Sequence, residues 1–414
     1  MQKRNIAVLL GVSLLQGMCF YAPIATLYRQ AAGVTVFEMS VIESASFAAS
    51  LLLEVPWGVA ADRIGYRKTM IFCTALFFVS KVIFWRAEGF PMFLLERLLL
   101  AVVVAGLSGV DASILWLSAG EQDAQRVFGW YGACGTAGMI VASVVCASFV
   151  GENYRLSGLL TVLSYGASAA LVFFLRDVKG PARDRERPMA SLKSSFRQLI
   201  RVRGLLPLVL CGALAGEVCR NVSVFFNQLQ YARCGMDERA IAAVYGVTTL
   251  IGLCGAFSAA ATKRAGERQT GLLLLATMAA CCATLALTES VLLSVAMMLL
   301  LCAASALYGP LSSAMENRLI VTEDRATALS VNTLVSDGVA IPLSLLLGRL
   351  AEASLPGTFL LCGAVCAAAI GLFSRTCAEK PSYSAGCQAG AWFQRWRRSQ
   401  LFDPEMQEKN IAAA

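Results

Sequence analysis

The sequence has no histidine and few charges, since 15% of its 414 residues are charged. A soluble domain carries about 25% charged residues, and a soluble protein of this length needs that polar surface to cover its core. Histidine and Cys-x-x-Cys pairs are the usual ligands of transition metals, and the sequence contains neither. These absences argue against a soluble fold and against a metal site, and the sequence predicts no cofactor.

Long apolar runs occupy most of the chain, in which 57% of the residues are hydrophobic. A helix of roughly 20 apolar residues spans a bilayer core about 30 Å thick. Twelve runs reach spanning length, approximately at residues 5–28, 38–61, 69–86, 91–118, 127–150, 155–176, 204–231, 239–261, 270–288, 290–314, 325–350 and 355–376. The sequence therefore predicts an all-α integral membrane protein with twelve transmembrane helices.

Two hydrophilic stretches divide the chain. The predicted segments are a six-helix bundle at 1–176, a basic cytoplasmic linker at 177–203, a second six-helix bundle at 204–376 and a cytoplasmic tail at 377–414. Apolar residues recur at helical spacing in the linker, which favours an amphipathic helix on the membrane surface. A solvated linker is the alternative for its first half. The tail interleaves tryptophan with arginine, so it is either a surface helix or disordered.

Lysine and arginine are distributed unevenly between the loops. When the loops are numbered from a cytoplasmic N-terminus, about two dozen basic residues fall on the cytoplasmic side, which is the positive-inside bias. The basic residues assigned to outer loops are Arg29, Arg86, Arg155, Arg233 and Arg239. This distribution predicts both termini in the cytoplasm and a place in the cytoplasmic (inner) membrane. It also accounts for the net charge of +8 without a nucleic-acid partner.

The two bundles carry related turns. The turn after the second run reads GVAADRIGYRK, and the turn after the eighth reads AAATKRAGERQ. When Gly65 is aligned with Gly266, the arginines of the two turns coincide, and Lys263 stands in the place of Asp62. Internal repeats of this kind build many secondary transporters. The repeat predicts a duplicated architecture.

The stretch EVPWGVAADRIGYRK (residues 54–68) resembles the signature that follows the second helix of the major facilitator superfamily. The signature reads Gly-x-x-x-Asp-Arg-x-Gly-x-basic-basic. Two further stretches, SGVDASILW and RATALS, resemble a bacterial drug-efflux-like branch. The resemblance implies two pseudo-symmetric six-helix bundles and a secondary active transporter without enzymatic activity, which moves a small molecule by alternating access.

The resemblance also implies a gate at this turn. Asp62 would face the N-terminus of the eleventh helix, where the helix dipole and Arg325 favour a carboxylate. A plain positively charged loop is the alternative, and it explains Arg67 and Lys68 but neither Asp62 nor the glycines. The predicted gating residues are Gly58, Asp62, Arg63, Gly65, Arg67, Lys68 and Arg325.

Charges inside the membrane are costly, so each is a candidate for function. The predicted cavity and proton-coupling residues are Arg97, Asp111, Glu217, Arg220 and Asp337. Further charges within the runs are Glu43, Glu54, Lys81 and Glu96.

Four of the predicted cavity residues also have a structural interpretation. Arg97 matches an arginine that the superfamily associates with proton coupling, or it pairs with an acid such as Glu43. Glu217 and Arg220 lie three apart on one helix face, so they line the cavity or neutralise each other. Asp111 lies nearer the cytoplasmic end and supports the gate and helix packing.

The sequence predicts proton-coupled efflux by a monomer, with protons, the lipid bilayer and a small amphipathic molecule as partners. Proton-coupled nutrient uptake by symport is the alternative, and a membrane-embedded enzyme or sensor is a distant one. Few arginines are expected in the cavity, which argues against a strongly anionic substrate such as a sugar phosphate. The fifth run has glycines at Gly129, Gly132, Gly135 and Gly138 without proline. They suit an antiporter or close helix packing.

Overall fold

A computed structural model shows twelve helices that are long and apolar enough to cross a membrane. It describes residues 3–120, 123–151, 153–178, 204–319 and 325–378. Within these ranges, only the helical backbone and not the side chains is described for residues 54–55, 58–63, 325–331, 333 and 377–378. Every regular element among these residues is helical. The surface helices predicted in the linker and the tail lie outside the described residues.

We number the spanning helices α1 to α12, and several are built from consecutive segments. Their bounds are α1 (Lys3–Gly17, Ala22–Ile24, Ala25–Ala31), α2 (Val36–Ile64), α3 (Tyr66–Arg86), α4 (Gly89–Leu107, Val110–Ala119), α5 (Ala124–Val145, Cys146–Val150), α6 (Tyr154–Leu171, Val172–Phe174), α7 (Leu205–Asn221, Val222–Phe226, Asn227–Arg233), α8 (Glu238–Ile251, Gly252–Phe257, Ser258–Ala265), α9 (Glu267–Leu287), α10 (Val291–Leu319), α11 (Arg325–Ala353) and α12 (Leu355–Ala378). Each predicted run falls on one of these helices, so the twelve-helix prediction is confirmed.

The turns at the start of α3 and α9 have the same backbone geometry. Gly65 has φ 91° and ψ 145°, and Gly266 has φ 81° and ψ 156°. Glycine adopts a positive φ without the steric penalty of a Cβ atom. The two related turns of the sequence therefore fold alike, as expected of two pseudo-symmetric bundles.

Helix α1 is interrupted halfway along its length. A short 3₁₀ turn at Ala22–Ile24 contains Pro23, and a new helical segment starts at Ala25. The first N–H groups of a helix have no acceptor within it. Here the N–H groups of Thr26 and Leu27 donate to Oε1 of Gln228 on α7, at 2.8 and 3.4 Å. The interruption thus ties the first half of the molecule to the second.

The halves are joined at the end of the bundle that contains residues 32–35, 87–88, 234–237 and 354, which we call the far end. The Oγ of Ser143 on α5 donates to the carbonyl of Ala242 on α8. Hydrogen bonds also link Tyr154 to Glu238 at 3.0 Å and Phe37 to Glu352 at 3.3 Å. Among the described side chains, the hydrogen bonds between the halves lie from the membrane centre to this end.

Toward the opposite end, where α1 begins and α12 ends, one face of α5 borders open space. A Cβ atom placed on Gly129 or Gly132 would meet no atom within 4 Å. The side chains of Arg97 and Arg220, at the centre of the molecule, are each 27% exposed. We infer that the interface is closed at the far end and opens toward the end of the two termini.

Close glycine packing holds α1 against α5. A Cβ atom on Gly138 would overlap the carbonyl oxygen of Leu14 and lie 2.9 Å from the backbone of Gly17. Small residues allow helix backbones to approach this closely in a membrane. For Gly138, the packing role considered from the sequence matches the observed contact.

We predict that Gly138→Ala destabilises the protein and that Gly132→Ala does not. The added methyl group in the first variant has no room beside Leu14, and overpacking of this kind costs about 1–3 kcal/mol. The methyl group in the second variant projects into open space. Thermal unfolding of the purified proteins in detergent measures the difference. Equal midpoints for the two variants would contradict the observed crossing.

We also predict that Gln228→Leu opens the far end. Leucine leaves the N–H groups of Thr26 and Leu27 without their acceptor, whereas its size is similar to that of glutamine. Spin labels at Gln30 and Ala232, both exposed near this end, should show longer distances in this variant.

Gln230→Leu is the matched control for this experiment. Gln230 lies on the same helix, and its Nε2 donates to the Thr288 carbonyl and to Ser294 Oγ within the second half, at 3.0 and 3.1 Å. Its loss should leave the far end closed. An unchanged distance distribution in Gln228→Leu would show that this glutamine does not hold the halves together.

Candidate functional site

A buried carboxylate lies where helices of both halves meet. Glu43 of α2 is 2% exposed, and its Oε2 accepts a 2.5 Å hydrogen bond from Nη2 of Arg97 on α4. Nη1 of Arg29 on α1 lies 3.7 Å from Oε1, and Nη1 of Arg220 on α7 lies 3.9 Å from Oε2. A buried charge needs partners of opposite sign, and Glu43 has three guanidinium groups around it.

Helix α7 contributes a second buried carboxylate, that of Glu217. It accepts hydrogen bonds from Nη2 and Nε of Arg220 at 2.5 and 3.0 Å. Nδ2 of Asn221 and the hydroxyl of Ser344 on α11 each donate to it at 2.6 Å. The spacing of three and four residues places these α7 side chains on one helix face. Glu217 thereby links α7 to α11 inside the second half.

Arg220 connects the two carboxylates. It is bonded to Glu217 on its own helix and faces Glu43 across the interface between the halves. Its Cζ lies 4.6 Å from the ring centroid of Phe47 on α2, a cation–π contact. Both alternatives raised by the sequence are compatible with this position, since Arg220 pairs with Glu217 and also reaches the centre of the molecule.

A small cavity lies beside Glu43. Its volume is about 10 Å³, which is room for about one water molecule. Its polar lining includes Thr26, Ser40 and Asn221, and Met39 and Phe225 contribute apolar surface. In this conformation the cavity itself is therefore too small for an organic substrate.

The structure corrects the position of Arg29. The sequence placed it in an outer loop, but it lies within the last segment of α1 and is 5% exposed. The helix continues past it to Ala31, and the turn comes at Gly33, which has φ 85°. Glycine with a positive φ commonly follows a helix C-terminus, so Gly33 was the signal that extends the helix. Arg29 therefore adds a third guanidinium group to those of Arg97 and Arg220 around Glu43.

The charges predicted on α3 and α4 form a pair within the first half. Nζ of Lys81 lies 3.1 Å from Oε1 of Glu96, and both side chains are buried. Lys81 also donates to the hydroxyl of Tyr21 at 2.9 Å. The pair is electrically neutral, and neither side chain lines the cavity beside Glu43. We therefore assign the pair a structural role.

Two predicted cavity residues lie away from this cluster. Asp111 begins the second segment of α4, and its Oδ2 accepts a 3.0 Å hydrogen bond from the hydroxyl of Tyr131 on α5. This contact agrees with the packing role proposed from the sequence. Asp337 is half-buried on α11, about two turns from Ser344.

The signature turn has a structural contact of its own. Nε of Arg67 donates to the carbonyl of Leu175 at 2.6 Å, and Nη2 donates to that of Phe173 at 3.3 Å. Arg67 therefore binds the free carbonyl groups at the end of α6, whereas Lys68 is exposed. The side chains predicted to form the gate, those of Asp62, Arg63 and Arg325, and residue Gly58 lie outside the described side chains.

Comparison with known proteins agrees with this architecture. The family model of the Major Facilitator Superfamily matches residues 6–344. A search of curated protein sequences gave no match.

Several solved transporters share the fold. The nucleoside transporter NupG superposes with a TM-score of 0.74 at 14% identity, covering 91% of this chain and 100% of NupG. A D-xylose-proton symporter gives 0.71 at 14% identity, covering 90% and 97%.

A bacterial homologue of the human lysosomal transporter Spinster, in an inward-facing and unoccupied conformation, gives 0.68 at 17% identity, covering 91% and 96%. Identities this low establish the fold alone. Together with the family match over most of its length, they show that the chain belongs to the major facilitator superfamily and is a multi-pass membrane transporter of a small molecule.

Proposed function

We propose that this secondary active transporter is proton-coupled and that Glu43 and Glu217 are its proton sites. The observation that carries the proposal is the position of Glu43, a buried carboxylate whose arginine partners come from both halves. Because the chain has no histidine, carboxylates are the groups that can exchange protons near neutral pH inside the membrane.

Protonation of Glu43 would weaken the far-end closure. Two unit charges 4 Å apart attract by about 4 kcal/mol at an effective dielectric constant of 20, and desolvation opposes part of that. A net change of about 1.4 kcal/mol shifts an equilibrium between two conformations tenfold. The loss of one charge at this position is therefore large enough to favour the opposite conformation.

The signature turn would supply the matching gate at the other end. In this proposal Asp62 approaches the N-terminus of α11 and Arg325 when that end closes. The resemblance of residues 54–68 to the superfamily signature supports this role. The hydrogen bond of Arg67 to the chain at the end of α6 holds the turn that carries Asp62 against the first half.

The location and direction of transport are also proposals. The distribution of lysine and arginine supports cytoplasmic termini and the cytoplasmic membrane, and a monomer remains the expected state. The resemblance to the drug-efflux-like branch predicts efflux by proton antiport, whereas uptake by symport is the alternative. The two differ in whether the proton and the substrate exclude each other or bind together.

We predict that Glu217→Gln abolishes pH-driven accumulation of substrate in proteoliposomes and preserves exchange of substrate across the membrane. Glutamine keeps the hydrogen-bonding shape at this position but has no titratable proton. Accumulation under an imposed pH gradient and exchange at equal pH measure the two activities separately, with Asp337→Asn tested in parallel.

Glu289→Gln is the control for this experiment, because Glu289 is 77% exposed at the far end and pairs with Arg233. It should accumulate substrate like the wild type. If Glu217→Gln also accumulates substrate normally, the proton site lies elsewhere.

A further inference from the structure

The central cluster contains more positive than negative groups. Arg29, Arg97 and Arg220 meet two carboxylates, those of Glu43 and Glu217. With all five ionised, one positive charge remains unbalanced. An unbalanced charge in a membrane interior is costly, so the site favours a ligand with one negative charge.

Hydrogen-bond donors in the cluster also lack partners. Nε of Arg29, Nε of Arg97 and Oγ1 of Thr26 are buried without a hydrogen-bond acceptor. Thr26 lines the cavity and is 1% exposed. Buried donors of this kind are normally satisfied, so the observation indicates that an acceptor is missing from this site. Oε1 of Glu43 likewise has no hydrogen-bond donor.

Apolar side chains also line the cavity. Met39, Phe225 and Phe226 face it, and Phe47 lies over the guanidinium group of Arg220. An apolar or aromatic body suits these side chains, and a planar carboxylate suits the forked geometry of arginine.

We infer that the transported molecule is a small organic monoanion, whose carboxylate binds Arg97 and Arg220 and whose apolar body packs against the phenylalanine side chains. This substrate class rests on the proposed transport function at the same site. It revises the expectation, drawn from the sequence, that arginines are few there.

A monoanion and a proton would bind together at this site. Glu43 and the substrate carboxylate compete for the same guanidinium groups, and protonation of Glu43 releases them. A bound anion therefore favours the protonated form of Glu43, whereas a bound cation would favour its ionised form. The linkage favours the symport alternative over antiport.

The other charged groups near Glu43 do not remove this competition. Helices α3, α4 and α11 pack against α2. Besides Arg97, these helices carry two neutral pairs, Lys81 with Glu96 and Arg349 with Glu352. Asp337 has an interaction of its own, and Asp111 accepts a hydrogen bond from Tyr131. The remaining charged residues stand in the first or last turn of their helices, and they are Arg67, Lys68, Arg86 and Arg325.

Three probes with the same aromatic body test the substrate class with the full-length purified protein. They are N-acetylphenylalanine, which is an anion, its neutral amide, and 2-phenylethylamine, an alkylamine that stays a cation between about pH 6 and pH 8, as a lysine side chain with its pKa of about 10.4 does. The carboxyl group of the first, with a pKa of roughly 3.5, is ionised between about pH 6 and pH 8. We expect the anion to raise the unfolding temperature most, with roughly tenfold tighter binding at the lower pH, the effect of one charge-assisted hydrogen bond.

Glu43→Gln gives the sharpest test, because a gain of affinity does not arise from misfolding. This variant should bind the anion roughly tenfold more tightly than the wild type at about pH 8, with a weaker dependence of affinity on pH. Arg220→Gln should lose the preference for the anion, and Glu289→Gln should bind like the wild type. Weaker anion binding in Glu43→Gln, a preference for the cation, or no binding of the anion by either protein would overturn the inference.

Proteoliposomes separate this inference from proton coupling itself. Accumulation of the anion under an inward proton gradient supports both. Accumulation of the cation in exchange for protons, driven by an outward proton gradient, would contradict the inferred monoanionic substrate and leave proton coupling intact. Anion transport that ignores the pH gradient would support the substrate class and contradict proton coupling.

Discussion

The structure depends on the burial of Glu43 among guanidinium groups that belong to both halves. A carboxylate in the interior of a membrane protein is costly unless partners of opposite charge surround it. Arg29 and Arg97 supply these partners from the first half, and Arg220 supplies one from the second. The same group therefore satisfies its own charge and holds the two halves together at the centre.

The local geometry of α1 and α7 brings the charged side chains of this cluster together. After the interruption of α1 at Ala22–Ile24, Arg29 pairs with Glu43, and the N–H groups of Thr26 and Leu27 bind Gln228. On α7 the spacing of Glu217, Arg220 and Asn221 places three polar groups on one face. Polar side chains from α1, α2, α4, α7 and α11 thus meet in one place. Alternating access requires that the two halves can separate at this cluster. Protonation of its carboxylates changes the charge that holds the halves together.

The sequence was sufficient to predict the helices and their number, because a bilayer of fixed thickness leaves a clear pattern of apolar runs. The signature at residues 54–68 identified the superfamily correctly. The pairs Arg97 with Glu43 and Arg220 with Glu217 were both named as structural alternatives. The sequence did not reveal that the two pairs form one cluster, because the contact between Glu43 and Arg220 joins helices that are distant in the chain. Arg29 was misplaced because a helix end is defined by local turn geometry at Gly33, and not by the first charge after an apolar run.

The central claim is that the charge on Glu43 helps to keep the far end closed. The most direct measurement is the distance between spin labels at Gln30 and Ala232 as a function of pH, in the absence of substrate. Protonation occurs as the pH falls, so the account predicts that longer distances become more populated at low pH in the wild type. In Glu43→Gln the distribution should be independent of pH and already contain the longer distances. A wild-type distribution that does not change with pH, in a protein that transports, would contradict the account.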